Sequence, residues 1–105
     1  MRVLLDECVH AGLKKALPNH SIFTLSDMGW NGITNGQLLQ LISGQFNLFI
    51  TVDTKMPHQQ NLKGLPFAIF FLAIADNNFS SYTPLLPLLE INIPSALPGQ
   101  IIYFP

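Results

Sequence analysis

The sequence predicts a single α/β domain over residues 1–105, a three-layer α/β/α sandwich with a mainly parallel sheet of about five strands. Three observations lead there. Apolar runs with no period-two alternation take turns along the chain with segments whose apolar residues recur at helical spacing. Hydrophobic residues make up 49% of the chain and charged ones 10%, against about 25% charged in ordinary soluble domains; that balance suits strands covered on both faces. A chain of 105 residues is also long enough to bury a core without disulfides or a structural metal.

The elements follow in order. Arg2–Leu5 (RVLL) is a short unbroken apolar run, the mark of a buried strand. In VHAGLKKAL, Val9, Leu13, Ala16 and Leu17 fall on one helical face, which Pro18 closes. Ser21–Leu25 (SIFTL) reads as a second strand, and SDMGWNGI as a loop. Thr34 and Gln37 then fit a capping box, Leu38, Leu41 and Ile42 form an inner stripe, and Gly44 stops that helix. Phe46–Val52 and Pro66–Ile74 are the third and fourth strands, with room between them for a turn or two of helix. SSYTPLLPLLEINI carries a short leucine-rich helix that Pro87 and Pro94 limit, and Gly99–Phe104 is the fifth strand.

Charge and cysteine content narrow the function classes. The net charge of −1 gives no bulk basic field to gather nucleic acid. The single Cys8 cannot close an intrachain disulfide, which fits a reducing cytosol. Asp6 and Glu7 interrupt the N-terminus too early for a signal-peptide core. The longest apolar run, Leu65–Ala75, is about half the ~20 residues of a membrane helix. The expectation is a cytoplasmic protein with no membrane contact.

In open parallel sheets, ligands bind beyond the carboxyl ends of the strands, where strand order reverses. Asp6 and Glu7 directly follow the first strand and Asp53 directly follows the third, so three of the six acids in the chain converge if the first strand lies between the second and third. Grouped carboxylates repel one another, and hard cations such as Mg²⁺ bind through one or two of them plus water. The alternative for each aspartate is a helix N-cap or turn, and for Glu7 simple solvation. Lys55, His58, Gln59 and Gln60 stand just beyond Asp53. Such side chains contact phosphates, or alternatively cover the sheet edge. His58 ranks above His10 and His20 as a chemical candidate, with His10 expected on the surface. Trp30 either stacks on a base or pins the start of the second helix. Asp76 reads as a turn residue and Cys8 as packing.

VLLDECV, GWNGITNGQLL, FITVDTKMPHQQNLKGLP and LPGQII resemble, in order, the segments of a short bacterial PIN-like family related to the C-terminal domain of the Mut-seven type. The similarity spans nearly the whole chain and is most specific from Asp53 to Asn61. It implies an α/β sandwich with an acidic Mg²⁺ or Mn²⁺ site that cuts RNA, in many members a toxin restrained by an antitoxin encoded beside it. By that resemblance Asp6 and Asp53 are metal-site acids, with Glu7 next to them. Two departures stand out: Gln37 occupies a position usually held by Glu, and Ala73 one that often carries Arg.

Two other readings come from different classes. One is a PIN-like binding module with weak or no catalysis, acting through a partner. The leucine-dense C-terminal helix favours it, because its outer face calls for a dimer or an antitoxin. The other is a phospho-receiver domain, which shares acids after strands one and three. That reading fails at two of its four sites, since AIADNN lacks the Ser or Thr, and IIYFP the Lys, that a receiver requires.

Overall fold

The computed structural model describes residues 1–105. Five strands form one all-parallel sheet in the order β2-β1-β3-β4-β5: β1 Arg2–Leu5, β2 Ser21–Thr24, β3 Leu48–Thr51, β4 Ala68–Leu72 and β5 Ile101–Phe104. Six α-helices connect them: α1 Gly12–Ala16, α2 Leu25–Met28, α3 Asn35–Ile42, α4 Met56–Gln59, α5 Phe79–Tyr82 and α6 Leu86–Asn92. The expected three-layer sandwich is the observed one. No helix is long and apolar enough to cross a membrane.

Alternation along the buried strands divides the core in two. Val3, Leu5, Leu48, Ile50, Phe70 and Leu72 face one side, where Leu13 and Leu17 of the first crossover meet Tyr82, Leu85 and Leu89 of the last. Leu4, Phe49, Ile69 and Phe71 face the other, under Leu25, Leu38, Ile42 and Met56. Every residue of β3 and β4 is buried, as the lack of alternation in their sequences implied.

This division fixes the hand of the connections. α1 carries the chain from β1 towards β2 over the first face, while α5 and α6 carry it from β4 towards β5, in the opposite direction, over that same face. With all strands parallel, those two crossovers have opposite hand. The connections through α3 and α4 run towards β5 over the second face, which gives them the hand of the first. Since such crossovers are right-handed in about 98% of cases, the β4–β5 connection is the exception.

Several boundaries differ from the sequence expectation. α1 begins at Gly12 rather than near Val9, because the His10 ring turns back and its Nδ1 accepts the Gly12 N–H at 2.9 Å. The supposed loop after β2 contains α2, a single turn with a complete capping box. There Thr24 Oγ1 accepts the Asp27 N–H, and the Asp27 carboxylate accepts the Thr24 N–H. The box expected at Thr34 and Gln37 is only half made: Thr34 Oγ1 accepts the Gln37 N–H at 3.4 Å, and Gln37 gives nothing back. Pro87 opens α6 from its first turn, where no N–H is needed, instead of limiting it.

Candidate functional site

The carboxyl end of β1 is extended by one backbone bond, from the Asp6 N–H to the Ile50 carbonyl at 2.9 Å. That bond lays Asp6 on the sheet between β2 and β3, where the strand order reverses. Asp6 is 7% exposed, one of two buried polar or charged residues in the chain; the other is Thr51, at 0%. They are partners. Thr51 Oγ1 donates to Asp6 Oδ2 at 2.7 Å and accepts the Asp53 N–H at 3.0 Å, with Cys8 Sγ 3.6 Å away. Asp6 Oδ1 accepts the Glu7 N–H at 2.8 Å. One buried hydroxyl thus ties the end of β1 to the turn that follows β3.

Burial pushes the Asp6 carboxyl above its ordinary value of 3.8, against the Thr51, Glu7 and Cys8 hydrogen bonds that favour its ionised form; the Asp53 charge adds to the rise. Burial, and then the Asp6 charge, raises the Cys8 thiol too. A thiol held protonated is a poor nucleophile, so Cys8 is a wall of the site.

Asp6, Glu7, Asp53, Cys8, Val52 and Asn35 line a cleft of about 410 Å³. The expected convergence of the three acids is therefore present. Asp53 is half-buried and also serves as a turn residue, its Oδ1 accepting the Lys55 N–H at 3.0 Å. Its two rival readings hold together, since that bond occupies Oδ1 and the residue still faces the cleft. No three His, Cys, Asp or Glu side chains come together closely enough to form a metal-holding group. What the cleft offers a cation is the Asp6 and Asp53 pair, with Asn35 beside them. That is a donor set of the kind Mg²⁺ accepts, all oxygen and with few carboxylates.

A second cleft, of about 360 Å³, lies on the β2 side of the same acids; Asp6 and Glu7 line both.

The proposed substrate-contacting residues are not brought to either cleft. α4 turns Met56 inward, which leaves Lys55, His58 and Gln59 exposed, while Gln60 reaches towards Gly36 at the start of α3. His10 corrects the surface assignment. It is half-buried, with its ring 5.4 Å from Phe79 and its N–H donated to the Tyr82 hydroxyl at 3.0 Å. Trp30 packs edge-on to Phe46 at 6.0 Å, the pinning role. Asp76 is a turn residue, its Oδ1 accepting from the Asn78 N–H and the Ser81 hydroxyl.

Gln37 is exposed and lines a separate groove with Gln40 and Leu41, so the carboxylate cleft does not involve that position. Ala73 sits at the end of β4 in an apolar groove with Val52, Thr54 and Ile74. Thr51 and Asn35 are the residues that sequence reasoning missed. The signal for Thr51 was a lone hydroxyl inside the apolar run LFITV, two residues before Asp53.

Compared with protein-family models, curated proteins and solved structures, the chain finds no match.

Proposed function

We propose that the chain is a metal-dependent ribonuclease of the PIN-like type, with Asp6 and Asp53 as ligands of Mg²⁺ or Mn²⁺ and Glu7 at the rim of the same cleft. The observation that carries this reading is the buried Thr51 hydroxyl, which joins the Asp6 carboxylate to the Asp53 backbone at the switch point of the sheet. A buried, hydrogen-bonded acid aimed at a cleft has a desolvation cost that a turn residue does not need to bear. When bound, such an ion supplies an activated water and neutralises charge at a phosphodiester. The chain's own part is to fix the two carboxylates through Thr51, to place Asn35 beside them, and to narrow the site with Val52 and Cys8.

Calorimetric titration of Mn²⁺ into the wild type and Asp53→Asn tests the reading. The wild type should give a saturable isotherm and the variant at least a tenfold weaker one, since removing one of two charged ligands costs well over the ~1.4 kcal/mol that a factor of ten represents. Absence of Mn²⁺ binding by the wild type sinks the enzyme. Loss of RNA cleavage on chelation then separates a competent site from a vestigial one.

A second reading, a binding module acting through a protein partner, is favoured by one observation: Leu88 and Ile91 on α6 stand 39% and 70% exposed. In the toxin setting an antitoxin would cover them, and in a homodimer a second copy would. Cytoplasmic location and RNA as the substrate belong to the same proposal as the nuclease.

A further inference from the structure

The cleft on the β2 side of Asp6 has a composition of its own. Val9 and Leu25, both buried, form its floor, and Ala11 stands at its lip. The end of β2 and the segment after it add Thr24, Ser26 and Asn31 to the lining. Asn31 Nδ2 donates to Ser26 Oγ at 2.8 Å, so the two side chains hold each other in place. The Asn31 carbonyl oxygen and the Ser26 hydroxyl hydrogen remain for a ligand. None of the five Lys and Arg residues of the chain lines this cleft.

Those features select an occupant. Asp6 and Glu7 form the inner wall, and with no cation opposite them a phosphate or carboxylate is repelled. A purely apolar ligand would leave the Asn31 carbonyl oxygen and the Ser26 hydroxyl hydrogen unused. An uncharged ring with hydrogen-bonding edges meets both conditions, lying on the apolar floor with its edge at Asn31 and Ser26. The volume of about 360 Å³ falls within the ~300–1,000 Å³ typical of small-molecule sites. The shared wall adds direction: a nucleoside in this cleft abuts the same two acids that line the proposed metal cleft.

We propose that the cleft between the ends of β1 and β2 is the nucleoside subsite of the enzyme, holding one base and ribose of the RNA while the adjoining phosphodiester lies over the Asp6–Asp53 cleft. The choice of a nucleoside among neutral rings rests on the nuclease reading; the cleft and its chemistry do not. Asn31 and Ser26 are its specificity residues.

The test is an amide-resonance titration of the ¹⁵N-labelled protein with adenosine, guanosine, cytidine and uridine, each uncharged, without metal. The amides of Ala11, Ser26 and Asn31 should shift saturably with at least one of the four. Asn31→Ala should weaken that binding by about threefold to tenfold, the worth of one hydrogen bond. Ala11→Phe, which fills the cleft from an exposed position, should abolish it while the rest of the spectrum stays native. No saturable shift with any nucleoside overturns the subsite, and so do shifts that survive Ala11→Phe. Mn²⁺ binding without nucleoside binding overturns the subsite alone. Nucleoside binding without Mn²⁺ binding supports the subsite and sinks the nuclease.

Discussion

The two halves of the sheet end differently. On the β1–β3 side the strands deliver Asp6, Glu7 and Asp53 to two polar clefts that share a wall. On the β4 side the same edge gives Ala73, Ile74 and Ala75, an apolar groove, with the nearest acid, Asp76, committed to a turn. Both halves contain a strand buried along its whole length, β3 in one and β4 in the other, yet only one half carries a buried charged group. Strand ends alone therefore do not explain the acids. The acidic half coincides with the reversal of strand order, where diverging connections open the edge to a ligand. Both halves share the two cores, but only the acidic half keeps a carboxylate out of water.

Three changes put that division to work. The largest effect belongs to the apolar half. Phe70 is fully buried with its ring 4.9 Å from that of Phe104, and Phe70→Ala should cost about 3–5 kcal/mol in urea unfolding at any pH. A loss under 1 kcal/mol would mean that β4 does not anchor the sheet.

Thr51→Val is the intermediate case. It keeps the shape and removes the hydroxyl that serves both Asp6 and the Asp53 N–H, for a loss of about 1–3 kcal/mol at pH 7. Neutral stability for this variant would show that Asp6 and the Asp53 N–H do not depend on the Thr51 hydroxyl.

Asp6→Asn should have the smallest effect and the opposite sign. The Asp6 carboxyl is raised in the folded protein, so the folded state holds this proton more tightly than the unfolded chain does. Its contribution is in full force below the unfolded value near 3.8 and is lost as pH rises through the raised one. Asp6→Asn should thus raise the melting temperature at pH 7 and leave it unchanged near pH 3. A variant less stable than the wild type at pH 7 contradicts that assignment.

Legibility in the sequence followed the same physics. β1 was readable to the residue, because a doubly covered parallel strand is an unbroken apolar word, ended here by two acids. The meeting of Asp6 and Asp53 was readable too, given the position of strand one between its neighbours. α2 was not, since a four-residue helix is too short to show a period. Asn35 and Thr51 were hidden for different reasons. Asn35 comes from a helix start whose direction depends on tertiary packing, and Thr51 looks like any β-forming residue in an apolar run. Lys55, His58 and Gln59 stand outside both clefts because the buried Met56, rather than the polarity of its neighbours, sets the orientation of α4. The hand of the last crossover leaves no local trace, because it is defined by which face of the sheet α5 and α6 cover.

That last crossover has a consequence in time. It returns the end of the chain to the face where α1 lies, so the His10 N–H finds the Tyr82 hydroxyl 72 residues away, and Leu13 and Leu17 wait for Leu85 and Leu89. At the roughly 5–20 residues per second of protein synthesis, a span of 72 residues leaves the first helix without its cover for about 4–14 s. During those seconds Leu13 and Leu17 have only the strands of their own half of the sheet to pack against.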